Sequence, residues 1–367
     1  MKHRSWHRSL SVLIGLLLLA GTVAAATVDP ADPVPVAAGP RPTTTTSTTE
    51  APTTTTEATT TTAAPVTAPP TTRKVAPRVV APRPPTTKKP APAPAPKPAA
   101  QPSGITAMFY YGWYPSAFQT MGSRFHPSAG EYSSQDPAVV RKHIDQMRYA
   151  GMQAGIASWW GAGHMTDKAL AVGMAEAQGT PFKWTVYYEL EGPTDPNPSV
   201  EKLRADLQYI RDKYTNNPNW LYVDGKPVIF VWPDGNDRCE MVDRWNAANT
   251  MGFYVVQKRF PNNAGCIGRT ASWHDYSPDL YRIEVKGYSF SVGPGFHKFD
   301  ENPRLARNQG QFDSATAAMA ASSAPWKLVT TFNEWNEGTS VEPASEWASP
   351  SGYGVYLDIL HKHLGSR

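Results

Sequence analysis

Between residues 27 and 103 this 367-residue chain contains no phenylalanine, tyrosine or tryptophan. The stretch is rich in Thr, Pro and Ala, and 19 of the 36 prolines lie before residue 104. A segment without aromatic side chains buries too little surface to offset the entropy of ordering itself. This excludes a packed domain there and predicts a disordered or polyproline-like stalk. Cysteine is scarce as well: only Cys239 and Cys266 occur. Neither belongs to a C-x-x-C or nearby Cys/His pattern, so a zinc site is not expected. No cysteine follows the apolar N-terminal segment, which argues against a lipoprotein anchor. G-x-S-x-G, H-E-x-x-H, P-loop and Gly-rich dinucleotide signatures are also missing. Serine-elbow, zinc-protease, nucleotide and nicotinamide chemistries therefore leave no trace, and neither a cofactor nor a metal is expected.

Charge is split along the chain. Residues 1–103 carry 11 Lys and Arg against 4 Asp and Glu, whereas the remainder carries 24 against 27. The net charge of +4 thus belongs to the stalk, and the remainder lacks the basic face that nucleic-acid binding requires. A basic stalk suits an anionic cell wall or membrane surface, or serves simply as a solvated linker. At the start, Lys2, Arg4 and Arg8 precede an apolar run over residues 10–19 and the small residues Ala24, Ala25 and Ala26. This pattern predicts an export signal. The run is short for a spanning helix, which needs about 20 residues, and cleavage and retention as an anchor both stay open. The expected organisation is a signal or anchor over 1–26, a linker over 27–103 and a folded domain over 104–367. The protein is expected to be a monomer, secreted or at the cell surface. In an oxidising compartment Cys239 and Cys266 are expected to be bridged.

The remaining 264 residues hold every aromatic except Trp6, close to the roughly 250 residues of a (β/α)₈ TIM barrel. Eight short β-branched or aromatic runs alternate with helical periods or loops, at 105–110, 154–159, 183–188, 227–232, 253–257, 271–275, 287–292 and 327–332. That alternation predicts an α/β fold with a parallel sheet closed into a barrel. Asp136 and Pro137 open a helix whose stripe is Val140, Ile144 and Met147, ended by Gly151. A second helix from Ser199 to about Tyr214 presents Leu203, Leu207, Ile210 and Tyr214. The sixth and seventh units have loops where helices belong, pointing to an incomplete or decorated barrel.

Several strands finish in polar-aromatic sequence: Tyr111 to Tyr114, Ser158-Trp159-Trp160, Tyr188-Glu189-Leu190-Glu191, Trp232-Pro233-Asp234, Trp273-His274-Asp275-Tyr276 and Phe332-Asn333-Glu334-Trp335. Such ends line the catalytic face of a barrel. Carboxylates between aromatic rings suit sugars, whose C–H faces stack on rings and whose hydroxyls bond to acids and amides. Any single Trp is more often core packing; six clusters at strand ends favour a cleft. Its candidate lining is Tyr111, Trp113, Tyr114, Trp159, Trp160, Glu189, Trp232, Trp273, His274, Asn333, Trp335 and Asn336. Glycoside hydrolysis needs two carboxylates, and Glu334 and Glu337 stand three apart where an apolar strand ends. Crowding of two acids raises one pKa and leaves the other ionised. Asn333 is expected to position a hydroxyl and Trp335 to form a stacking wall.

The residues Tyr110 to Tyr114, His126-Pro127, the run from Tyr132 to Pro137, and above all Phe332-Asn333-Glu334-Trp335-Asn336-Glu337-Gly338-Thr339-Ser340-Val341-Glu342 resemble the endo-α-1,2-mannosidase family of glycoside hydrolases, family 99 and its bacterial relatives. The resemblance spans most of residues 105–345. It implies a (β/α)₈ barrel and metal-free, retaining cleavage of α-mannosidic or similar linkages in an oligo- or polysaccharide. It also implies Glu334 as the base that deprotonates the sugar 2-hydroxyl and Glu337 as the acid/base. Glu189 matches the family's sugar-contacting acidic position, although Leu190-Glu191-Gly192 departs from the usual continuation. Asn336 stands where the mannosidases typically have His, which leaves the sugar open and allows a bacterial surface glycan. The rival expectation is a stalk-displayed glycan-binding module without turnover.

Overall fold

A computed structural model describes residues 104–365 apart from 192–194, 196 and 234–237. The expected export segment and stalk, Gly192 and Asp234 lie outside the described residues. In chain order the elements are β1 (Ile105–Tyr110), α1 (Ser116–Thr120), α2 (Pro137–Tyr149), β2 (Ala154–Trp159), α3 (Met165–Glu176), β3 (Lys183–Tyr188), α4 (Val200–Ile210), β4 (Tyr222–Val223), β5 (Lys226–Val231), α5 (Cys239–Ala248), β6 (Tyr254–Lys258), β7 (Ser272–His274), β8 (Arg282–Val285), β9 (Ser289–Val292), α6 (Gln309–Ala321), β10 (Trp326–Val329) and α7 (Val355–Leu364). All eight predicted strands are present, within a few residues of their expected ends.

The sheet runs β7-β6-β5-β3-β2-β1-β10-β9-β8. From β7 to β9 its neighbours pair in parallel, β8 returns antiparallel to β9, and β4 forms a small antiparallel pair with β5. The result is a nearly closed barrel. Its seam lies between β7 and β9, where Ser291 Oγ donates to Asp275 O across 2.7 Å. The weak sixth and seventh units are where regularity fails: a 3₁₀ turn over Pro261–Cys266 follows β6, and β8 replaces the helix after β7.

Local chemistry explains the helices. Asp136 accepts a hydrogen bond from Ala138 N at the start of α2, and Val140, Ile144 and Met147 are buried, a cap worth about 1 kcal/mol. Ser199 caps α4, which passes into a π turn at Arg211–Thr215 that carries Tyr214. Gly155 is paired with Trp184, whose ring would lie 2.3 Å from a side chain there. Gly173 of α3 meets the same ring from outside. Two glycines thus let a tryptophan fill the layer between sheet and helix. Cys239, at the start of α5, is bonded to Cys266 at the end of the 3₁₀ turn. The barrel interior is less aliphatic than this fold usually prefers. Phe109, Tyr187, Phe230 and His274 meet there with ring centroids 4.7–6.2 Å apart, and Trp326 packs on Phe230.

Candidate active site

The chain leaves β10 at Val329 and crosses the carboxyl-end face of the barrel. Phe332 N donates to Phe109 O of β1, which pins the start of this crossing. Asn333 is fully buried, and its amide brackets Tyr111: Oδ1 accepts from Tyr111 N (2.7 Å) and Nδ2 donates to Tyr111 O (2.9 Å). Tyr114 donates to Asn333 O (2.7 Å) and accepts from Trp335 N. A 3₁₀ turn, Trp335–Glu337, then ends at Gly338 with φ of 62°. A side chain at Gly338 would stand 2.4 Å from His297 O, so only glycine serves.

This path puts Glu334 and Glu337 on one side of the turn. Glu334 is 4% exposed, and Tyr276 donates to its Oε2. Tyr276 in turn shares a 2.7 Å hydrogen bond with Tyr111. Burial first, and then the charge of Glu337, hold the Glu334 carboxyl well above the usual carboxylate range, against the Tyr276 hydrogen bond. Glu337 is paired with Lys298, 3.3 Å from its Oε1. A third acid, Glu189 beyond β3, accepts from Ser158 Oγ, which itself accepts from Trp160 Nε1. Burial pushes Glu189 up to about 8; the hydrogen bonds from Ser158 and Trp160 oppose this, and Glu337 adds to it. Three acids that feel one another's charge, two of them buried, constitute the chemistry of this face.

Strand parity decides which predicted residues reach it. Side chains alternate faces along a strand, so Tyr111, Glu189, Trp232 and Tyr276 project to the barrel axis. Trp232 stands edge-on to Tyr276 at 5.4 Å. Trp113 packs on Tyr111 at 4.6 Å and near Trp160 at 6.2 Å, forming the aromatic wall. Two buried polar atoms here have no hydrogen-bond partner, Trp113 Nε1 and Asn336 Oδ1.

The other predicted lining residues do different work. Trp159 and Trp273 have the opposite parity and face the helical layer; Trp159 Nε1 donates to Asp167 of α3. Trp335 is no stacking wall: it is fully buried, stacks on Trp347 and donates to Glu342 Oε2. Asn333 and Tyr114 hold the backbone of the turn rather than a hydroxyl. His274 lies inside the barrel beside Tyr187, and burial and Lys258 bring it down to about 3.

Some contributors were not singled out from sequence. Tyr276 was within reach, because it shares the parity of His274 two residues earlier. Lys298, Arg307 and Glu342 were not, since their roles depend on tertiary contacts. Arg307 donates to Gly338 O and Ser340 O (both 2.8 Å) while its guanidinium lies 3.9 Å from the Trp347 ring. Glu342, paired with His143 at 3.2 Å, accepts from Tyr132 and Trp335.

A parallel barrel with crowded, buried carboxylates and aromatic rings at its strand ends has the layout of the glycoside-hydrolase barrels. A profile of glycosyl hydrolase family 99 matches residues 110–253. It is 24% identical over 284 residues to the mouse glycoprotein endo-alpha-1,2-mannosidase, covering 65% of this chain and 60% of that one. It is 25% identical over 283 residues to the human glycoprotein endo-alpha-1,2-mannosidase-like protein, covering 65% and 61%. The chain thus spans about three fifths of the length of these relatives. Among solved structures, the GH99 endo-alpha-mannosidase from Bacteroides thetaiotaomicron shares the fold with a TM-score of 0.57 at 20% identity, covering 71% of this chain and 96% of that one.

Proposed function

We propose that this chain is an exported, retaining glycoside hydrolase that cleaves α-mannosidic or similar linkages in a glycan, with Glu334 and Glu337 as its catalytic carboxylates. The observation that carries this is the buried Glu334, crowded by Glu337 and Glu189 and held by Tyr276 on the open face of the barrel. Glu334 is assigned as the base that takes the proton of the sugar 2-hydroxyl, and the oxygen so freed attacks the anomeric carbon. Glu337 protonates the departing oxygen and then, as base, activates water to open the anhydro sugar. Tyr276 follows the charge of Glu334 through its hydrogen bond. Asn336 Oδ1 and Trp113 Nε1 supply an acceptor and a donor for hydroxyls. Wall or membrane association belongs to the basic stalk.

One observation favours exchanged roles. Burial and the charge of Glu337 favour the protonated form of Glu334, whereas Lys298 pairs with Glu337. An acid must begin protonated and a base ionised, so this distribution suits Glu334 as acid. Leaving-group chemistry separates the two. Glu334→Gln and Glu337→Gln are each expected to abolish cleavage of α-mannans or a bacterial wall polysaccharide while circular dichroism stays native. On a glycosyl fluoride, which needs no acid, and with azide as a nucleophile that needs no base, only the variant lacking the acid/base regains turnover. Recovery by Glu337→Gln supports the assignment, recovery by Glu334→Gln the exchange. Full activity of either variant on the glycan removes the proposal.

A further inference from the structure

Among the Phe, Tyr and Trp side chains of the described residues, Phe299 is the one that is exposed, at 50%. A single exposed apolar residue is ordinary on a protein surface; its mounting is what distinguishes this one. The segment from Phe296 to Leu305 folds back on itself, with Phe296 N donating to Leu305 O (2.8 Å) and Leu305 N to Phe296 O (3.1 Å). Arg304 grips Glu301 through two hydrogen bonds of 2.7 and 2.9 Å and lies over the Phe296 ring. The segment is therefore a braced finger. Its base is fastened to the catalytic turn: His297 N donates to Glu337 O (2.9 Å), and Lys298 pairs with the Glu337 carboxylate.

The ring also has a seat. Gly122, with φ of +67°, faces it so closely that a side chain there would meet ring carbons at 2.8–2.9 Å. The next residue, Ser123, donates to Trp335 O (3.1 Å). The β1 loop and the β9 loop thus meet at Phe299 from either side of β10, each tied to the turn that carries the glutamates. Trp113, Trp160 and Glu189 occupy the β1–β3 side of the same face. An apolar ring held rigid at the other side, one residue from the contact of Glu337, fits the C–H face of a pyranose.

We propose that Phe299 is the stacking platform of a sugar subsite on the leaving-group side of Glu337, so that the cleft holds a hexose beyond the bond that is cut. This rests on the glycosidase reading and on Glu337 as the acid. The test uses the full chain and two substrates: an α-1,2-linked mannotetraose, and an α-mannobiosyl fluoride with no sugar beyond the cleaved bond. Phe299→Ala is expected to lower kcat/KM on the tetraose about tenfold, the upper range for a ring contact, and to leave the fluoride unchanged. Phe299→Trp is expected to keep both. Equal losses on both substrates, or no loss on either, overturn the subsite. If the wild-type protein turns over neither substrate, cleavage of α-mannosidic linkages is what fails, and calorimetry with the tetraose decides the subsite alone. Binding about tenfold weaker in Phe299→Ala then supports it, and unchanged or absent binding overturns it.

Discussion

Replacing Glu189 by Gln separates the electrostatic cost of the site from its chemistry. The acid is fully enclosed, and burial moves it from 4.5 to about 8. An acid raised by folding binds more protons in the folded than in the unfolded chain between those two values. Its favourable contribution is complete below about pH 4.5 and is lost as pH rises through about 8. A tenfold change in a protonation equilibrium corresponds to about 1.4 kcal/mol, so the wild-type protein loses on the order of 5 kcal/mol from this group across that interval. Gln cannot ionise, and its amide oxygen still accepts from Ser158. The stability of Glu189→Gln relative to wild type should therefore grow by about 1.4 kcal/mol for each step of one in pH between pH 5 and 8. Chemical denaturation at several pH values measures this, and taking the difference between the two proteins removes titrations they share. A difference that stays flat across pH 5–8 would refute the reasoning and mean that the carboxyl is hydrated or held by a cation.

Three other perturbations probe the scaffold. Arg307→Lys keeps the charge but loses the fork that holds Gly338 and Ser340, and charge-assisted bonds of this kind are worth about 1.5–3 kcal/mol each. Denaturation should register about 2 kcal/mol or more, with glycan turnover falling alongside; unchanged stability would remove Arg307 as a strut. Asp167 accepts from Trp159, Gly163, Tyr209, Lys213 and Tyr214. Burial opposes its ionisation, and those hydrogen bonds outweigh it to bring the group down to about 2. Its stabilisation is present above the unfolded value near 3.8 and lost as pH falls through about 2, so Asp167→Asn should cost about 3 kcal/mol at pH 7 and reduce sensitivity to acid in a melting series. Opening the Cys239–Cys266 bond, whose partners are 27 residues apart, by a double Ser substitution should cost about 3–4 kcal/mol; a melting curve unaffected by reductant would contradict this.

The strands and the position of Glu334 and Glu337 were legible in the sequence because their signals are local. Eight apolar runs bounded by polar ends fix where β structure forms, and Asp136-Pro137 and Ser199 fix where helices start. The two glutamates stood out because they interrupt an apolar run. Six polar-aromatic strand ends were also visible, but treating each end as a whole ignored the two-residue alternation. Applied to the same letters, that rule separates Tyr111, Glu189 and Trp232 from Trp159 and Trp273. Asn333 and Trp335 fell outside even that rule, for they lie in a turn where only the surrounding contacts define a direction.

The sequence by itself determined a parallel barrel, and it singled out Glu334 and Glu337 where an apolar run ends. Composition, periodicity and motif are short-range properties that survive without coordinates. Only the tertiary structure decided what each member of the site touches. It brought Lys298 against Glu337, Tyr276 against Glu334 and Arg307 behind the turn. It also enclosed Glu189 until its proton became hard to remove. These are effects of distance and desolvation between residues far apart in the chain, and charge energies vary too steeply with both for sequence spacing to reveal them.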